Sequence, residues 1–486
     1  MPLRRITALA LLPLIFNGCA VGPDYKTPEI KTPQAWRIET PSNANSVANL
    51  PWWEIFKDAE LQVLIQEGLS ANKDLKIALT RLVQARESAE IAEGAYLPTV
   101  GYTAGAYRSR PKSFSANGMH GFSLGGSIQW EVDLWGRLRR LNESAAAQYF
   151  ASVENKNATV LALVAEIANG YFRLRMLDAQ LATSRQTAET REKAYKLSKS
   201  KLDNGVGNRI DTSYFESDML SAQASIFEFE RGIAVQENAL NLLLGRLPGP
   251  IARSNTIPSP ILQEIPAGLP SELLLRRPDV RAAEHQVRAA NAKIGAAIAE
   301  FFPKVSLTAA LGFFNPQLGH LLEHDSLGRQ GGGGLLGPIF AGGTIYHGVK
   351  QAEAFTKETV LGYEQTALNA FREVNDALVT IRSTRERIQK LEKQVAVLRE
   401  ALENTRKAYE SGVLPFLPVL DADRNLFSAQ LLLNDVRTAE LESAVQLYKA
   451  LGGGWRAGNL SQLVNEKGEI TGGPGAKAKE KSEEKK

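Results

Sequence analysis

Two long stretches of the chain mix apolar and polar residues, contain no proline and hold at most two glycines each, a composition that favours long helices. They run from Arg137 to Asn204 and from Thr344 to Ser411. At a rise of ~1.5 Å per residue, each stretch predicts a helix of roughly 100 Å. In the second stretch the apolar positions from Phe371 to Tyr409 are spaced three and four residues apart, with breaks at Arg385 and Thr405. This spacing is typical of a coiled-coil seam.

Each long stretch is followed by a turn and by a second helical pattern. The turns read GVGNRID from Gly205 and GVLPFLPVLD from Gly412. The second patterns extend from about Thr212 to Leu244 and from about Val419 to Leu451. The sequence therefore predicts two long helical hairpins.

Glycine-rich segments with few charges precede both hairpins, near 97–132 and 304–342. Small or polar residues alternate there with larger ones, which predicts two strands in each segment. Residues 331–349 carry no charged side chain, and eight of these nineteen residues are glycine. Such a composition is poor for a helix and suits a barrel strand with its turn.

The two halves of the chain repeat one another. Identical residues in the hairpins are 207 positions apart, as at Ala222 and Ala429. Upstream the separation is 205, as at Asp74 and Asp279, so an insertion of two residues lies in the strand region. The constant separation predicts a duplicated unit, and the prolines between the halves exclude a regular helix there.

The predicted organisation has six parts. They are a signal peptide over 1–18, an extended segment over 19–60 that begins with the cysteine, a first repeat over 61–245 with its hairpin at 137–245, a proline-rich crossing segment over 246–270, a second repeat over 271–452 with its hairpin at 344–451, and a charged, disordered tail over 453–486.

Composition excludes several classes of protein. The single cysteine, Cys19, rules out an internal disulfide framework and a cysteine-rich metal site. The formal net charge of +4 falls to +2 when Arg4 and Arg5 leave with a signal peptide. This excess is too small for a nucleic-acid binder, whose affinity depends on clustered cations.

The first nineteen residues read MPLRRITALALLPLIFNGC, the layout of a secretory signal. The apolar run from Ile6 to Phe16 would span about 16 Å as a helix, short of the ~30 Å of a bilayer core. FNGC resembles a bacterial lipobox, in which Cys19 is lipidated and becomes the first mature residue. Ala20 after it implies sorting to the outer membrane. An ordinary signal peptide with an incidental cysteine is the alternative.

Four strands cannot close a barrel, and an open sheet edge facing lipid leaves backbone groups without hydrogen bonds. The chain must therefore oligomerise. Two copies would supply a filled barrel of eight strands, and three copies would supply a barrel of twelve strands with room for a lumen.

Several long motifs occur in order along the chain: CAVGPDYKTPE, WWEIFKDAELQVLI, WEVDLWGRLRR, IPAGLPSELLLRRPDVRAAEHQV, FFPKVSLTAALGFF, VLDADRNLFSAQ and LYKALGGGW. Through them the sequence resembles the outer-membrane factors of tripartite efflux pumps, of the TolC and OprM type and the NodT-like lipoprotein branch. The resemblance covers the chain from Cys19 to Trp455.

This resemblance implies an α+β membrane protein that forms a homotrimer in the outer membrane. Its twelve-stranded β-barrel is continued by a long periplasmic α-helical barrel, and Cys19 anchors it in lipid on the periplasmic side. The implied function is a passive conduit for small toxic compounds or drugs, without catalysis, cofactor or metal. The implied partners are a periplasmic adaptor and an inner-membrane RND-type transporter. A type I secretion channel and a metal-cation efflux channel are alternatives within the class, and a periplasmic adaptor lipoprotein is an alternative outside it.

The resemblance also places a periplasmic gate. Asp421 of the VLDA motif and Leu417, four positions earlier, would form a ring of carboxylates and an apolar ring. Asp423 adds a charge beside them. In the alternative interpretation Asp421 caps the start of the returning helix.

The hairpin tips are where the resemblance places docking of the adaptor. The residues concerned are Gly205, Val206, Arg209, Gly412 and Val413. The glycines also suit the turns themselves, because glycine readily adopts a positive φ.

Three short patterns imitate enzyme motifs. HLLEH at His320 fits a zinc-peptidase signature, but it lies between two predicted strands rather than on a helix. GFSLG at Gly121 continues into a strand, and the glycines at 332, 334 and 337 are not followed at once by a helix. We interpret all three as structural.

Overall fold

The computed structural model describes residues 20–38, 55, 57–109, 119–254 and 270–453. The predicted signal peptide, Cys19 and all of the tail except its first residue lie outside the described residues. Among the described helices, none combines the length and the hydropathy that a bilayer crossing requires.

The described residues are mostly helical, with four strands. In chain order the elements are α1 (Ala59–Ala71), α2 (Lys73–Gly94), β1 (Thr99–Ser109), β2 (Met119–Val132), α3 (Arg137–Asp203), α4 (Arg209–Leu243), α5 (Pro270–Arg276), α6 (Pro278–Ala299), β3 (Lys304–Asn315), β4 (Leu327–Leu336), α7 (Thr344–Glu410) and α8 (Leu417–Ala450).

The chain divides into two compact units. The first contains residues up to Ile30, Arg81–Val153 and Ala282–Gln365, and the second contains Lys31–Thr80, Glu154–Arg281 and the residues from Thr366 onward.

The first unit holds an antiparallel sheet in the order β1-β2-β3-β4. Gly125 of β2 pairs with Gly312 of β3, and a Cβ on Gly312 would come within 2.7 Å of the Gly125 Cα atom. The two glycines therefore allow a closer approach of the central strands than larger residues would. Within the described residues, β1 and β4 each pair on one side only.

The N-terminal part of the first unit is extended and is tied to the end of β2. The backbone N–H of Val21 donates to the carbonyl oxygen of Trp135 at 3.0 Å, and Arg140 forms an ion pair with Asp24 at 2.8 Å. Trp135 also donates through Nε1 to the carbonyl oxygen of Pro303 at 2.9 Å. Trp135 thus lies where β2 ends and α3 begins.

In the second unit, α7 and α8 pack through the apolar positions of the predicted seam. Leu391 and Val395 of α7 form one buried cluster with Leu426, Leu433 and other residues of α8. The first break in the spacing, Arg385, forms an ion pair with Glu440 of α8 at 2.8 Å. The polar position is therefore satisfied across the hairpin.

Some element boundaries differ from the prediction. The helical residues ahead of β1 are divided into α1 and α2 at Asn72, whose side chain accepts from the N–H of Leu75 at 2.9 Å and so starts a new helix. The returning helix α8 begins at Leu417, ahead of Pro418, rather than at Val419. Proline is tolerated there because first-turn N–H groups have no partner within the helix.

Candidate functional site

The tips of the two hairpins are sharp turns with exposed apolar side chains. Gly205 and Gly412 adopt positive φ angles of 74° and 76°, which glycine adopts without strain. Val206 and Val413, the residues that follow them, are 79% and 74% exposed. Arg209 is exposed at the first position of α4. The predicted docking residues therefore lie on the surface of the tips.

An aromatic cluster joins the first hairpin to the turn of the second. The rings of Phe215 in α4 and Phe416 before α8 have centroids 3.8 Å apart, and Tyr409 of α7 lies 5.6 Å from Phe416. Val419 and Leu420 complete the buried cluster. This contact fixes the start of α8 against the first hairpin.

Leu417 and Asp421 lie on one exposed side of α8. Leu417 is the first residue of the helix and is 56% exposed, and Asp421 follows one turn later, also exposed. The alternative in which Asp421 caps the helix is wrong, because the cap position is Phe416 and carries no side-chain cap hydrogen bond. The carboxylate of Asp421 therefore does not cap the N-terminus of α8.

Asp423 has a different environment from Asp421. Its side chain is 19% exposed, and its carboxylate accepts from Nε of Arg191 in α3 at 2.7 Å. Two residues along a helix correspond to a rotation of about 200°. The structure therefore turns Asp423 away from the side that Leu417 and Asp421 share, in contrast to the predicted grouping of all three.

Arg191 is the centre of a buried contact between three helices. Its side chain is 7% exposed, its guanidinium lies 5.3 Å from the ring centroid of Phe427, and its Nη1 donates to the carbonyl oxygen of Asp218 at 3.0 Å. The hydrogen bonds thus connect α3 with both α4 and α8.

A second ion pair lies beside it. Nε and Nη2 of Arg424 both donate to Oδ1 of Asp218, at 3.0 and 2.7 Å. The hydrogen bonds to this buried carboxylate raise the pKa of Arg424. Sequence reasoning missed Arg191, Asp218 and Arg424. The only indication of this ion pair in the sequence is that Asp218 and Arg424 lie 206 positions apart, close to the repeat distance of 207.

Polar contacts continue along α3 and α8 away from the tips. Gln180 of α3 donates to Asp435 of α8 at 2.6 Å, and Arg173 of α3 acts electrostatically on Glu442 of α8. Partial burial raises the pKa of both Asp435 and Glu442. These pairs follow the antiparallel course of two neighbouring helices.

The enzyme-like patterns lie in structural contexts other than those that the enzyme motifs require. HLLEH connects two short 3-10 turns between β3 and β4, Leu318–His320 and His324–Ser326. Nδ1 of His320 contacts Glu323. GFSLG lies within β2. The part of the chain that the structure describes contains no group of three or more His, Cys, Asp or Glu side chains placed to hold a metal ion.

A sequence model of the family described as "Outer membrane efflux protein" matches residues 64–246 and 269–453. The two matched segments together cover most of the chain.

The chain is also similar to individual proteins over nearly its whole length. It is 35% identical to the "Toluene efflux pump outer membrane protein TtgC" of Pseudomonas putida, over 93% of this chain and 96% of the relative. It is 33% identical to the "Cation efflux system protein CusC" of Escherichia coli, over 91% and 97%.

The fold is similar to that of a solved channel. The crystal structure of the open state of the MtrE outer membrane channel of Neisseria gonorrhoeae superposes with a TM-score of 0.82 at 32% identity, covering 90% of this chain and 98% of that one. The motifs, the fold and the matches along both halves agree, and the chain belongs to the family of outer membrane efflux proteins.

Proposed function

We propose that three copies of this chain form a passive conduit across the outer membrane and the periplasm. The observation that carries the proposal is the four-stranded sheet whose edges, β1 and β4, pair on one side only within the described residues. Unpaired backbone groups facing lipid are costly, so the edges require partners. Three copies supply twelve strands, which enclose a lumen, and their long hairpins supply the wall of a helical cylinder.

The oligomer is tested by native mass spectrometry of the detergent-solubilised protein, with a complex of three chains expected. Cysteine pairs scanned between β1 and β4 test the strand contact, since adjacent edges give disulfide-linked dimers and trimers. A monomer that still inserts into lipid and conducts ions would contradict the proposal.

The partners in this proposal are a periplasmic adaptor and an inner-membrane RND-type transporter. The relative TtgC is the outer membrane protein of a toluene efflux pump, and the relative CusC is a protein of a cation efflux system. The adaptor would dock at the hairpin tips, at Gly205, Val206, Arg209, Gly412 and Val413, where two exposed valines offer apolar contact surface.

The exported compounds in this proposal are small toxic molecules. Cation export is the second candidate, because CusC is similar to this chain at nearly the same identity as TtgC. Complementation of efflux-deficient strains separates the two candidates. Rescue from toluene or antibiotics supports the first, and rescue from toxic metal cations alone supports the second.

Leu417 and Asp421 form the gate in this proposal, with Asp423 holding the helix that carries them. Three copies would place three carboxylates and three leucines around one constriction, where carboxylates attract cations and leucines resist wetting. We expect Leu417→Ala to raise single-channel conductance and Asp421→Ala to reduce cation selectivity. Asn404→Ala, an exposed change on α7, is the control. Unchanged conductance and selectivity in both gate variants would refute this assignment.

The proposal also places a lipid on Cys19. The N–H of Val21, two residues later, is bonded to Trp135 at the end of β2. A lipid on Cys19 would therefore lie close to the end of the strands. Mass spectrometry of the mature N-terminus tests this modification, and an unmodified Cys19 or cleavage elsewhere would contradict it.

A further inference from the structure

Two buried side chains in the contact between α3, α4 and α8 each keep one polar atom without a hydrogen-bond partner among the described residues. The two atoms are Nη2 of Arg191 and Oδ2 of Asp218. Each of these side chains is only 7% exposed. A buried polar atom without a partner is costly and is rare in folded proteins. The pair of atoms therefore calls for an occupant that can bond to both.

The other polar atoms of the same two side chains are already engaged. Nε of Arg191 donates to Asp423 at 2.7 Å. Oδ1 of Asp218 accepts from both Nε and Nη2 of Arg424, at 3.0 and 2.7 Å. Nη2 of Arg191 and Oδ2 of Asp218 are thus what remains after two complete ion pairs have formed.

The two residues line one small cavity of about 30 Å³. Nη1 of Arg191 donates to the carbonyl oxygen of Asp218 at 3.0 Å, which holds the guanidinium against that residue. The ion pair of Arg191 is nevertheless with Asp423, and that of Asp218 is with Arg424. The free donor and the free acceptor are therefore neighbours that a bridging group can join.

The lining of the cavity does not select an ion. It contains two arginines, Arg191 and Arg406, and two aspartates, Asp218 and Asp423, and most of the remaining lining is apolar, as at Phe416. An anion would accept from Arg191 but would offer no donor to Asp218. A cation would satisfy Asp218 and leave the donor of Arg191 without a partner. The occupant that fits is neutral and both accepts and donates hydrogen bonds.

We propose that a water molecule binds in this cavity, where it accepts from Nη2 of Arg191 and donates to Oδ2 of Asp218. A water molecule needs roughly 10–15 Å³ on the same measure of volume, so a cavity of about 30 Å³ admits it. The bridge joins the ion pair of Arg191 with Asp423 to that of Arg424 with Asp218. The three helices are then connected by one continuous polar network. This inference concerns contacts within one chain and goes beyond the conduit proposed above.

The test is a crystal structure of the full-length protein at a resolution that shows ordered water molecules, from crystals grown in sodium bromide and in rubidium chloride. We expect a density peak at hydrogen-bond distance from both Nη2 of Arg191 and Oδ2 of Asp218, without anomalous signal from bromide or rubidium. An anomalous peak there would show a bound ion and overturn the inference. A direct bond between the two side chains, a side chain of another copy in the cavity, or no peak at all would also overturn it.

A variant tests whether the carboxylate of Asp218 holds the water. In Asp218→Asn the two donors of Arg424 keep the amide oxygen on their side, so the amide nitrogen takes the place of Oδ2. The water would then lie between two donors, and its own hydrogens would point at apolar walls. We therefore expect the density peak to be lost in this variant.

The matched control is Glu216→Gln, which makes the same chemical change to an exposed carboxylate of α4. The control should keep the peak. A peak that persists unchanged in Asp218→Asn would overturn the bridge to Asp218, and so would loss of the peak in both variants. The structure of the wild-type protein decides the inference even if Asp218→Asn does not fold.

Discussion

At the scale of single residues, the carboxylates of Asp421 and Asp423 differ in their surroundings although they belong to one short motif. Asp421 is exposed on α8, whereas Asp423 is bonded to the buried guanidinium of Arg191. The motif and the helical spacing predicted Asp421 and Leu417 as neighbours. They could not predict the contact between Asp423 and Arg191, because the helical spacing of one segment does not show which polar residue of another helix lies opposite.

We expect Asp423→Asn to destabilise the hairpin assembly by about 3 kcal/mol, because it leaves the Arg191 charge buried without its partner. Thermal unfolding followed by circular dichroism measures the loss. Glu230→Gln is the matched control, since it removes an exposed ion pair with Arg185, and such pairs contribute about 0–1 kcal/mol. The exchanged pair Arg191→Asp with Asp423→Arg should recover part of the loss. Equal melting temperatures for Asp423→Asn and the control would contradict this role.

At the scale of elements, the two kinds of helix contact in the second unit differ in chemistry. Within the second hairpin, α7 and α8 meet through aliphatic side chains such as Leu391 and Leu433. Between the hairpins, α3 and α8 meet in part through polar pairs such as Gln180 with Asp435. The aliphatic seam could be predicted from its spacing. The polar contact could not, because its residues look like ordinary solvated positions in the sequence.

The contact between α3 and α8 should strengthen as the pH falls. Burial raises the pKa of Asp435 and of Glu442 in the folded protein. For carboxyl groups with a raised folded pKa, the stabilising contribution is complete below their unfolded pKa, about 4, and is lost as the pH rises through the folded pKa. At pH 7 the ionised carboxylates of both residues therefore reduce the stability of the folded protein, less at Asp435, whose side chain is exposed, than at Glu442, whose side chain is half-buried.

The double variant Asp435→Asn with Glu442→Gln imitates the protonated side chains. We expect it to melt at a higher temperature than the wild type at pH 7, and the difference to shrink towards pH 4. Glu403→Gln serves as the control, because this exposed carboxylate forms an ion pair with Lys407 and has a lowered pKa. A difference between the double variant and the wild type that is the same at both pH values would contradict the assignment.

At the scale of the whole molecule, duplication accounts for the length of the chain. The family model matches one segment in each half of the sequence, so the periplasmic adaptor alternative is wrong. The repeat separation and the strand composition were visible in the sequence. The division of α1 from α2 at Asn72 was not predicted, because one capping residue decides it.

Among the described residues β4 pairs only with β3, so its other edge offers a test of assembly between copies of the chain. Successive N–H groups of a strand point to opposite sides in the plane of the sheet, one towards β3 and the next towards the outer edge. Proline removes an N–H, so an unpaired edge tolerates it at one of two adjacent positions. If β4 pairs with β1 of another copy, neither position tolerates it. We therefore expect both Gly332→Pro and Gly333→Pro to abolish the trimer in native mass spectrometry.

The matched control for both proline variants is Gly332→Ala, which retains the N–H and adds a Cβ atom where no atom lies within 4 Å. It should assemble as the wild type does. Because the two prolines differ only in which side of β4 loses its donor, a trimer that survives one of them would show that the outer edge is not hydrogen-bonded. That result would contradict closure of the sheet by neighbouring copies, even if the helices still assemble into a trimer.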